Sequence, residues 1–185
     1  MRKLIMWNVI SLDGCFEGKQ AWDLDYHRTV FDEELEAFSV EQLESAEMLV
    51  FGSKTYQGMF DYWTSDQAEG DPVTPYMNDL PKIVCSTSLQ AADWKNTTIV
   101  KDPLAEIPKL KQAGDGNMLV FGSGKLSESL MKAGLFDEYR LCAAPVFLGQ
   151  GRRLFTENIP YQKLQLLEDR RLNSGGVILQ YAAKH

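Results

Sequence analysis

The hexapeptide Met-Leu-Val-Phe-Gly-Ser occurs twice in the chain, at residues 48–53 and again at residues 118–123. In each copy, four apolar residues that are typical of a short buried strand precede a glycine and a serine that are typical of a helix start. Strands that alternate with helices in this way form parallel sheets. The repeat therefore predicts an α/β protein whose two junctions lie at the carboxyl ends of sheet strands, where such folds bind ligands.

The rest of the hydrophobic pattern extends this alternation. Further strands are predicted at 3–10, 82–86, 97–101, 117–121 and 138–148, and helices at 25–38, from Ser39, at 53–60, from 103 to about 113 and at 125–133. The polar segment 64–79 predicts a surface loop, and residues 164–172 and 177–183 predict a terminal hairpin. We expect an α/β fold with a mostly parallel twisted central sheet and an antiparallel C-terminal hairpin, in a single domain over 1–185.

The amino-acid composition restricts the classes of partner that this protein is expected to bind. The 185 residues carry 26 acidic and 19 basic side chains, a net charge of −7, which disfavours nucleic acid or an anionic membrane as a partner. A small anionic ligand remains compatible, because it needs only a local group of donors. Cys15, Cys85 and Cys142 are scattered among only two histidines, so we expect no metal site. We expect neither a signal peptide nor a membrane span, and reduced thiols predict a cytoplasmic protein.

The two junctions have the chemistry of a phosphate-binding site. Glycine allows a ligand to approach the backbone closely, and the first turn of a helix presents free N–H groups to an anion. Ser53, Thr55 and Ser123 add hydroxyl groups, and Lys54 and Lys125 add positive charge. Two such junctions suit a ligand with several phosphates, although each one alone also fits an ordinary helix start. Neither the Walker pattern nor the GxGxxG fingerprint is complete, so we expect no ordinary P-loop or Rossmann site.

Four motifs together resemble the dihydrofolate reductase-like superfamily, in the branch typified by the C-terminal reductase domain of bacterial riboflavin-biosynthesis proteins. They are SLDG at 11–14, GSKTY at 52–56, VFGSGKL at 120–126 and LFDEYRLCAAPVFLGQGRRLF at 135–155. The last is the most specific, with its Asp-Glu pair, apolar strand, proline and Leu-Gly-x-Gly. The resemblance spans nearly the whole chain and implies a three-layer fold, with helices on both sides of the sheet.

The same resemblance implies hydride transfer from NADPH to a pyrimidine- or pteridine-type small-molecule substrate. It assigns the cofactor to the strand ends, at Gly52, Ser53, Lys54, Thr55, Ser86, Thr87, Ser88, Gly122, Ser123, Gly124, Lys125 and Leu126. Hydroxyl groups after the strand KIVCS, together with Lys54, would suit a 2′-phosphate. No acidic residue stands where it would bind a bare ribose diol, so NADPH is expected rather than NADH.

The substrate is expected near the first loop and the first helix. Asp25 is the first candidate for the catalytic group and Asp13 the second, with water as the proton donor if both fail. Asp25 also fits a helix N-cap, and Asp13 fits a turn. Trp22, His27 and Phe121 are candidates for substrate contacts, although Trp22 could belong to the core and His27 to a helix surface. Phe121 replaces the glutamate that the riboflavin reductases have before the second glycine pair.

The identity of the substrate stays open at this point. The riboflavin intermediate 5-amino-6-(5-phosphoribosylamino)uracil is the substrate that the resemblance suggests. Its phosphate group, however, would require positively charged side chains to bind it. Residues 29–81 contain no arginine, and only Arg28 remains in the first predicted helix. A dihydrofolate reductase-type activity, an unphosphorylated pterin or a carbonyl compound are the alternatives. A noncatalytic nucleotide-binding module and a purely structural protein are the alternatives of another class.

The late strands predict self-association. Phe147, Leu148, Leu164, Leu166, Leu167 and Tyr181 give this edge of the sheet more apolar surface than one helix layer covers. Natural proteins bury such edges, often through a two-fold axis. We therefore expect a homodimer, in which the loop 149–153 reaches the neighbouring subunit. The alternative is that these residues complete the core of one chain.

Overall fold

The computed structural model describes residues 1–184, which form ten strands, five α-helices and two short 3₁₀ helices. The strands are β1 (Leu4–Ser11), β2 (Cys15–Glu17), β3 (Ala46–Gly52), β4 (Lys82–Cys85), β5 (Thr97–Val100), β6 (Asn117–Phe121), β7 (Glu138–Ala144), β8 (Arg152–Arg153), β9 (Leu164–Arg171) and β10 (Val177–Ala183). The helices are α1 (Glu33–Glu44), α2 (Ser53–Trp63), α3 (Thr74–Asp79), α4 (Pro103–Gln112) and α5 (Gly124–Lys132), and the 3₁₀ helices are Asp25–Thr29 and Asp66–Ala68.

Eight of the strands form one sheet in the order β5-β4-β3-β6-β1-β7-β10-β9. The pairs from β5 to β7 are all parallel, whereas β10 runs antiparallel to β7 and to β9. The prediction of a mostly parallel sheet with an antiparallel C-terminal hairpin is therefore confirmed. The two short strands β2 and β8 form a separate antiparallel ribbon.

Alternate residues of the central strand β1 pack on opposite sides of the sheet, as strand geometry requires. Leu4 and Met6 belong to the cluster that includes residues of α4 and α5. Ile5 and Trp7 face the other side, where α1, α2 and α3 contribute to two further clusters. The sheet is thus the middle of three layers. Burial on both faces of the central strands explains why β1, β3 and β6 read as continuous apolar runs in the sequence.

The predicted helix over 25–38 is wrong in its boundaries. The 3₁₀ helix Asp25–Thr29 ends before α1, and α1 begins after Asp32, whose carboxylate accepts hydrogen bonds from the N–H groups of Glu34 and Leu35. The predicted helix start at Ser39 is also wrong, because Ser39 lies inside α1 and its hydroxyl donates to the carbonyl of Leu35. The capping-box pattern at this serine was a coincidence of spacing.

The segment 64–79 is more ordered than the predicted surface loop. It contains a 3₁₀ helix and α3, and Ala68, Val73 and Met77 are buried. The Asn78 amide fixes this segment to α2 by donating to the carbonyl of Trp63 at 2.8 Å. The β7 strand is shorter than predicted because it ends at Ala144, before a proline.

Residues 1–184 contain neither a membrane-spanning helix nor a cluster of metal ligands. No helix in this range is long and apolar enough to cross a membrane. No group of three or more His, Cys, Asp or Glu side chains in the same range could hold a metal ion. The cytoplasmic location stays a prediction.

The last strand of the sheet, β9, exposes apolar side chains to solvent. Leu164, Leu166 and Leu167 are 36%, 50% and 51% exposed, and Phe147 is 76% exposed. Leu148 and Tyr181, which were grouped with them in the sequence, instead pack against the core clusters. The exposed surface is therefore smaller than the sequence predicted, but it lies on a free sheet edge, which is the kind of surface that self-associates.

We expect β9 to pair with a second copy of the chain, in an apolar interface that buries more than about 1,200 Å² in total. Sedimentation equilibrium should give the mass of two chains at micromolar concentration. Leu166→Glu should shift that mass to one chain, because a carboxylate in the interface would lose its hydration. Leu104→Glu is the control, since Leu104 is 45% exposed on α4, away from β9. A mass of one chain for the unmodified protein would contradict the prediction.

Candidate functional site

The two hexapeptides meet, because β3 and β6 are neighbours in the sheet and end side by side. Gly52 donates its N–H to the hydroxyl of Ser123 at 3.0 Å, and Ser123 donates its own N–H to the hydroxyl of Thr55 at 3.1 Å. Each junction is thus held by the other. Ser123, which is buried, braces this arrangement, and its predicted contact with the cofactor stays a prediction.

The second junction has an unusual backbone. Gly122 and Ser123 have φ values of 50° and 55°, so two successive residues adopt the left-handed conformation before α5 begins. A serine adopts this conformation only at a cost, which surrounding contacts must offset. Asn8 of β1 supplies one such contact, because its side-chain oxygen accepts the Gly122 N–H at 2.7 Å. The side-chain nitrogen of Asn8 is buried and has no partner among residues 1–184.

Both junctions present helix N-termini suited to an anion. The N-cap of α2 is Gly52, which has no side chain, and the side chain of Ser123, the N-cap of α5, makes no capping hydrogen bond in the described part of the chain. The first-turn N–H groups of each helix have no intrahelical acceptor, and they carry partial positive charge. Lys54 and Lys125 are exposed in these same turns. These residues fit a ligand with more than one phosphate, which is the feature of NADPH that this edge of the sheet would bind.

A third strand end joins the first two. After β4, the hydroxyl of Ser86 accepts the N–H groups of Ser88 and Leu89, which turns the chain back at the edge of the sheet. Lys101, just beyond the neighbouring β5, donates its ammonium group to the carbonyls of Thr87 and Leu89. Sequence reasoning missed Lys101, although the rule that parallel strands end at one edge would have found it.

One cavity of about 660 Å³ connects these strand ends to an apolar region between α1 and α2. Its wall includes every residue predicted for the cofactor and the three predicted for the substrate. We call the far region the apolar end, and define it by Trp7, His27, Phe31, Leu35, Ser39, Met59, Trp63 and Phe121. A second depression, of about 700 Å³ between Thr64 and Asp93, includes none of the predicted site residues among the described ones that line it.

The predicted role of Asp25 disagrees with the structure. Its side chain is 84% exposed, lies 3.5 Å from Arg28 and does not line the cavity. The alternative role of Asp25, as a helix N-cap, is also wrong, because Leu24 is the N-cap of this 3₁₀ helix. The physical reason is the break before α1, which turns the 3₁₀ helix so that Tyr26 is buried while Asp25 points outward.

Asp13 also lies outside the cavity, where it connects two motifs. Its carboxylate accepts the N–H groups of Leu148 at 3.1 Å and Gly149 at 2.8 Å, and the hydroxyl of Ser11 at 2.6 Å. The bond from Ser11 and those from the two backbone groups lower the pKa of Asp13 to about 2. Asp13 therefore joins the SLDG segment to the Leu-Gly-x-Gly loop. The structure supports the alternative reading of Asp13 as a turn residue, and not the catalytic one.

His27 reaches the apolar end because its neighbour is anchored. The hydroxyl of Tyr26 donates to the carbonyl of Val9 at 2.8 Å, and the His27 ring packs edge-on against Tyr26 with centroids 4.7 Å apart. Burial lowers the pKa of His27 to about 4, so the imidazole is neutral near physiological pH. Its Nε2 atom is buried without a partner among residues 1–184. His27 is thus part of the cavity wall and not a surface residue.

Comparison with known proteins identifies the fold and the family. Residues 2–178 match the family described as the RibD C-terminal domain. The chain belongs to the RibD C-terminal domain family. A relative, the uncharacterized protein YyaP of Bacillus subtilis strain 168, is 26% identical over 97% of this chain and 94% of its own length. The resemblance stated from the sequence motifs is therefore confirmed.

Solved structures share this RibD C-terminal domain fold. A protein of Shewanella sp. PV-4, provisionally described as a riboflavin biosynthesis protein, superposes with a TM-score of 0.82 at 22% identity, over 99% of both chains. A pyrimidine reductase-like protein of Corynebacterium diphtheriae gives 0.66 at 12% identity, over 100% of this chain and 92% of its own. Acinetobacter baumannii RibD gives 0.69 at 14% identity, over 100% of this chain and 59% of its own.

In this RibD C-terminal domain, an ion pair between a buried carboxylate and a half-exposed guanidinium supports the cavity wall beside the first loop. The Glu17 carboxylate lies 2.6 Å from the Arg152 guanidinium and accepts the N–H of Trp22 at 2.7 Å. Gly151 allows this approach, because a Cβ atom there would lie 2.5 Å from the carbonyl oxygen of Glu17. The Leu-Gly-x-Gly loop therefore brings β8 against β2. No spacing in the sequence links Glu17 to Arg152, and Glu17 was missed. Arg152 belongs to the loop 149–153 that was expected to reach a neighbouring subunit, and it instead pairs within the chain.

Trp22 is held over the cavity in a strained conformation. Its φ of 64° is rare for a bulky residue, and the hydrogen bond to Glu17 helps to maintain it. The indole lies against Gly58 of α2, where a Cβ atom would come within 1.9 Å of the ring. Glycine inside a helix is destabilising, so this glycine is explained by the space that the indole needs. Trp22 thereby bridges the first loop and α2 across the cavity.

The hydrogen bonds of Asp13 predict an acid-dependent stability. The folded-state pKa lies below the ordinary 3.8, so the stabilisation is complete above that pH and is lost as the pH falls towards about 2. Asp13→Asn should remove this part of the pH dependence, measured as the urea midpoint at each pH. Asp25→Asn, at an exposed aspartate, is the matched control and should keep the original profile. Superimposable profiles for Asp13→Asn and the unmodified protein would rule out this role.

The contact between Trp22 and Gly58 predicts an unusual effect of alanine in a helix. Alanine normally stabilises a helix interior by about 1 kcal/mol over glycine. Here Gly58→Ala should push the indole from α2 into solvent, which shifts tryptophan emission to longer wavelength. Introducing Gly58→Ala into a Trp22→Phe background should leave the emission unchanged. An equal red shift in both backgrounds would show that other tryptophans respond, and would contradict the assignment.

Proposed function

We propose that this protein is an NADPH-dependent reductase that transfers a hydride to a pyrimidine- or pteridine-type ring. The observation that carries the proposal is the pair of braced, uncapped helix N-termini opening into one cavity with an aromatic end. Membership of the RibD C-terminal domain family supports a reductase-like role. A Thermotoga maritima structure, 12% identical over 57% of its own chain with a TM-score of 0.68, is named a deaminase and 5-amino-6-(5-phosphoribosylamino)uracil reductase.

Different strand ends would bind different parts of the cofactor. The first turns of α2 and α5, with Lys125, would hold the pyrophosphate, because both helices start at neighbouring strand ends that are hydrogen-bonded to each other. Ser86, Lys54 and Lys101 would hold the 2′-phosphate, since all three line the cavity and the Lys101 ammonium group lies at the turn after β4, where it donates to the carbonyl of Thr87. When bound, NADPH supplies the hydride. The chain supplies binding and orientation, and Trp22 and α1 restrict access of water.

The proton for the reduced ring is assigned to water. Asp13 and Asp25 both lie outside the cavity, and the only carboxylate on its wall, among residues 1–184, is Glu17. Glu17 is already paired with Arg152 and bonded to the Trp22 N–H, so it is a positioning residue for the loop. Orientation of the ring against the cofactor then supplies the main rate advantage.

The experiment that tests the proposal is NADPH oxidation, followed by its ultraviolet absorbance, with a panel of pyrimidines, pterins and carbonyl compounds. We expect protein-dependent loss of NADPH with at least one pyrimidine or pterin. The control is the protein with NADPH alone, which should show no loss. Tight NADPH binding without oxidation by any compound would contradict the reductase and favour a noncatalytic nucleotide-binding module.

The 2′-phosphate assignment predicts cofactor selectivity. Lys54→Ala and Lys101→Ala should each weaken NADPH by roughly tenfold to a hundredfold, because a charge-assisted contact is worth about 1.5–3 kcal/mol. NADH affinity should change little, since NADH has no 2′-phosphate. Titration calorimetry with both cofactors measures the effect, and Lys109→Ala on α4 is the control outside the cavity. Equal weakening of NADPH and NADH would show that these lysines contact another part of the cofactor.

A further inference from the structure

The apolar end of the cavity has no free charge in residues 1–184. Its residues from α1 and the preceding segment are Phe31, Leu35 and Ser39, together with His27, which is neutral near physiological pH. Met59 and Trp63 form the opposite side on α2. This lining contrasts with the strand ends, where lysines surround the helix N-termini.

The cations on the cavity wall, among residues 1–184, all stand outside the apolar end. Lys54, Lys101 and Lys125 follow strand ends or start helices, at the edge of the sheet. Arg152 lies 2.6 Å from Glu17, and its guanidinium stands over the ring of Phe16 at 5.3 Å from the centroid. A phosphate at the apolar end would therefore be desolvated without a cationic partner, which is strongly unfavourable.

The apolar end has few polar groups, and one of them already makes a hydrogen bond within the chain. Ser39 donates its hydroxyl hydrogen to the carbonyl of Leu35 at 2.8 Å, so its oxygen can only accept a further hydrogen bond. His27 offers an imidazole whose Nε2 has no partner within the described residues. Aromatic side chains dominate the remainder, and at the mouth Trp22 and Phe31 are 41% and 48% exposed. These surfaces favour stacking on a flat ring.

We propose that the second ligand of this cavity is an uncharged, flat heteroaromatic compound that carries no phosphate. The proposal rests on the proposed function, because it names the substrate class of the same site. It separates this chain from the Thermotoga maritima protein, whose name specifies a phosphoribosylamino-uracil. The ring stacks among the aromatic residues of the apolar end, with its polar edge towards Ser39 and His27.

A matched pair of probes tests this inference directly. Titration calorimetry with 6-hydroxymethylpterin and with its monophosphate, each with and without saturating NADP⁺, compares one ring with and without the phosphate. We expect the unphosphorylated pterin to bind at least about tenfold more tightly. Tighter binding of the monophosphate would overturn the proposal, and so would the absence of binding by both pterins.

A charge placed in the apolar end provides the second readout. Ser39→Lys should reverse the preference in favour of the monophosphate, because the new ammonium group would pair with the phosphate. Ala37→Lys puts the same charge on the exposed side of α1 and should leave the preference unchanged. If both variants shift the preference equally, long-range charge and not the apolar end sets it, and the proposal is wrong.

The two proposals fail in different ways. Titration of NADP⁺ alone tests the cofactor half of the cavity, and its failure would count against the proposed function. Without NADP⁺, only the titration of the unphosphorylated pterin tests the apolar end alone, because the strand ends could then hold the phosphate of the monophosphate. That titration gives a result even if NADP⁺ does not bind. A protein that binds NADP⁺ but prefers the phosphorylated pterin would keep the proposed function and lose this inference.

Discussion

The reciprocal hydrogen bonds between the two hexapeptides hold the candidate site together. Gly52 donates to Ser123, and Ser123 donates to Thr55, so neither junction can move without the other. The bonds also fix Ser123 in its left-handed conformation, which sets where α5 begins. Because the two helices start from adjacent parallel strands, bracing the junctions aligns both sets of free N–H groups towards one ligand. Preorganisation of this kind lowers the cost of binding a polyanion.

The motifs that carry the family resemblance are divided between binding and support. The glycine-serine junctions face the cavity, whereas SLDG and the Leu-Gly-x-Gly loop hold each other through Asp13. The contact between SLDG and the Leu-Gly-x-Gly loop positions β8 against β2, and thereby brings Arg152 to Glu17. Glu17 in turn holds the Trp22 N–H at the cavity. A chain of specific contacts thus leads from a loop distant in sequence to the aromatic wall of the site.

Much of this arrangement was predictable from the sequence, and the exceptions have physical causes. Periodicity and turn chemistry identified the strands of the main sheet, with its hairpin, and the edge where the two junctions meet, because these depend on local pattern and on parallel topology. Asp25 was misplaced because a break between a 3₁₀ helix and α1 changes which side chains face inward, and no local signal marks it. The pairing of Glu17 with Arg152 was missed because it depends on tertiary contact alone. Asn8 could have been found, since it is the polar exception in an apolar strand.

The charge distribution along the cavity follows from the architecture. Helices that start at the carboxyl edge of a parallel sheet bring positive potential to that edge, and lysines in the first turns reinforce it. The inner sides of α1 and α2 must instead pack against the sheet, so Leu35 and Phe38 are fully buried there. A cation on these inner sides would lose its hydration and would also disturb the packing of the core. The same constraint that builds the core of this layer therefore keeps the apolar end neutral, so the cavity has lysines and helix N-termini at one end and an uncharged, largely aromatic lining at the other.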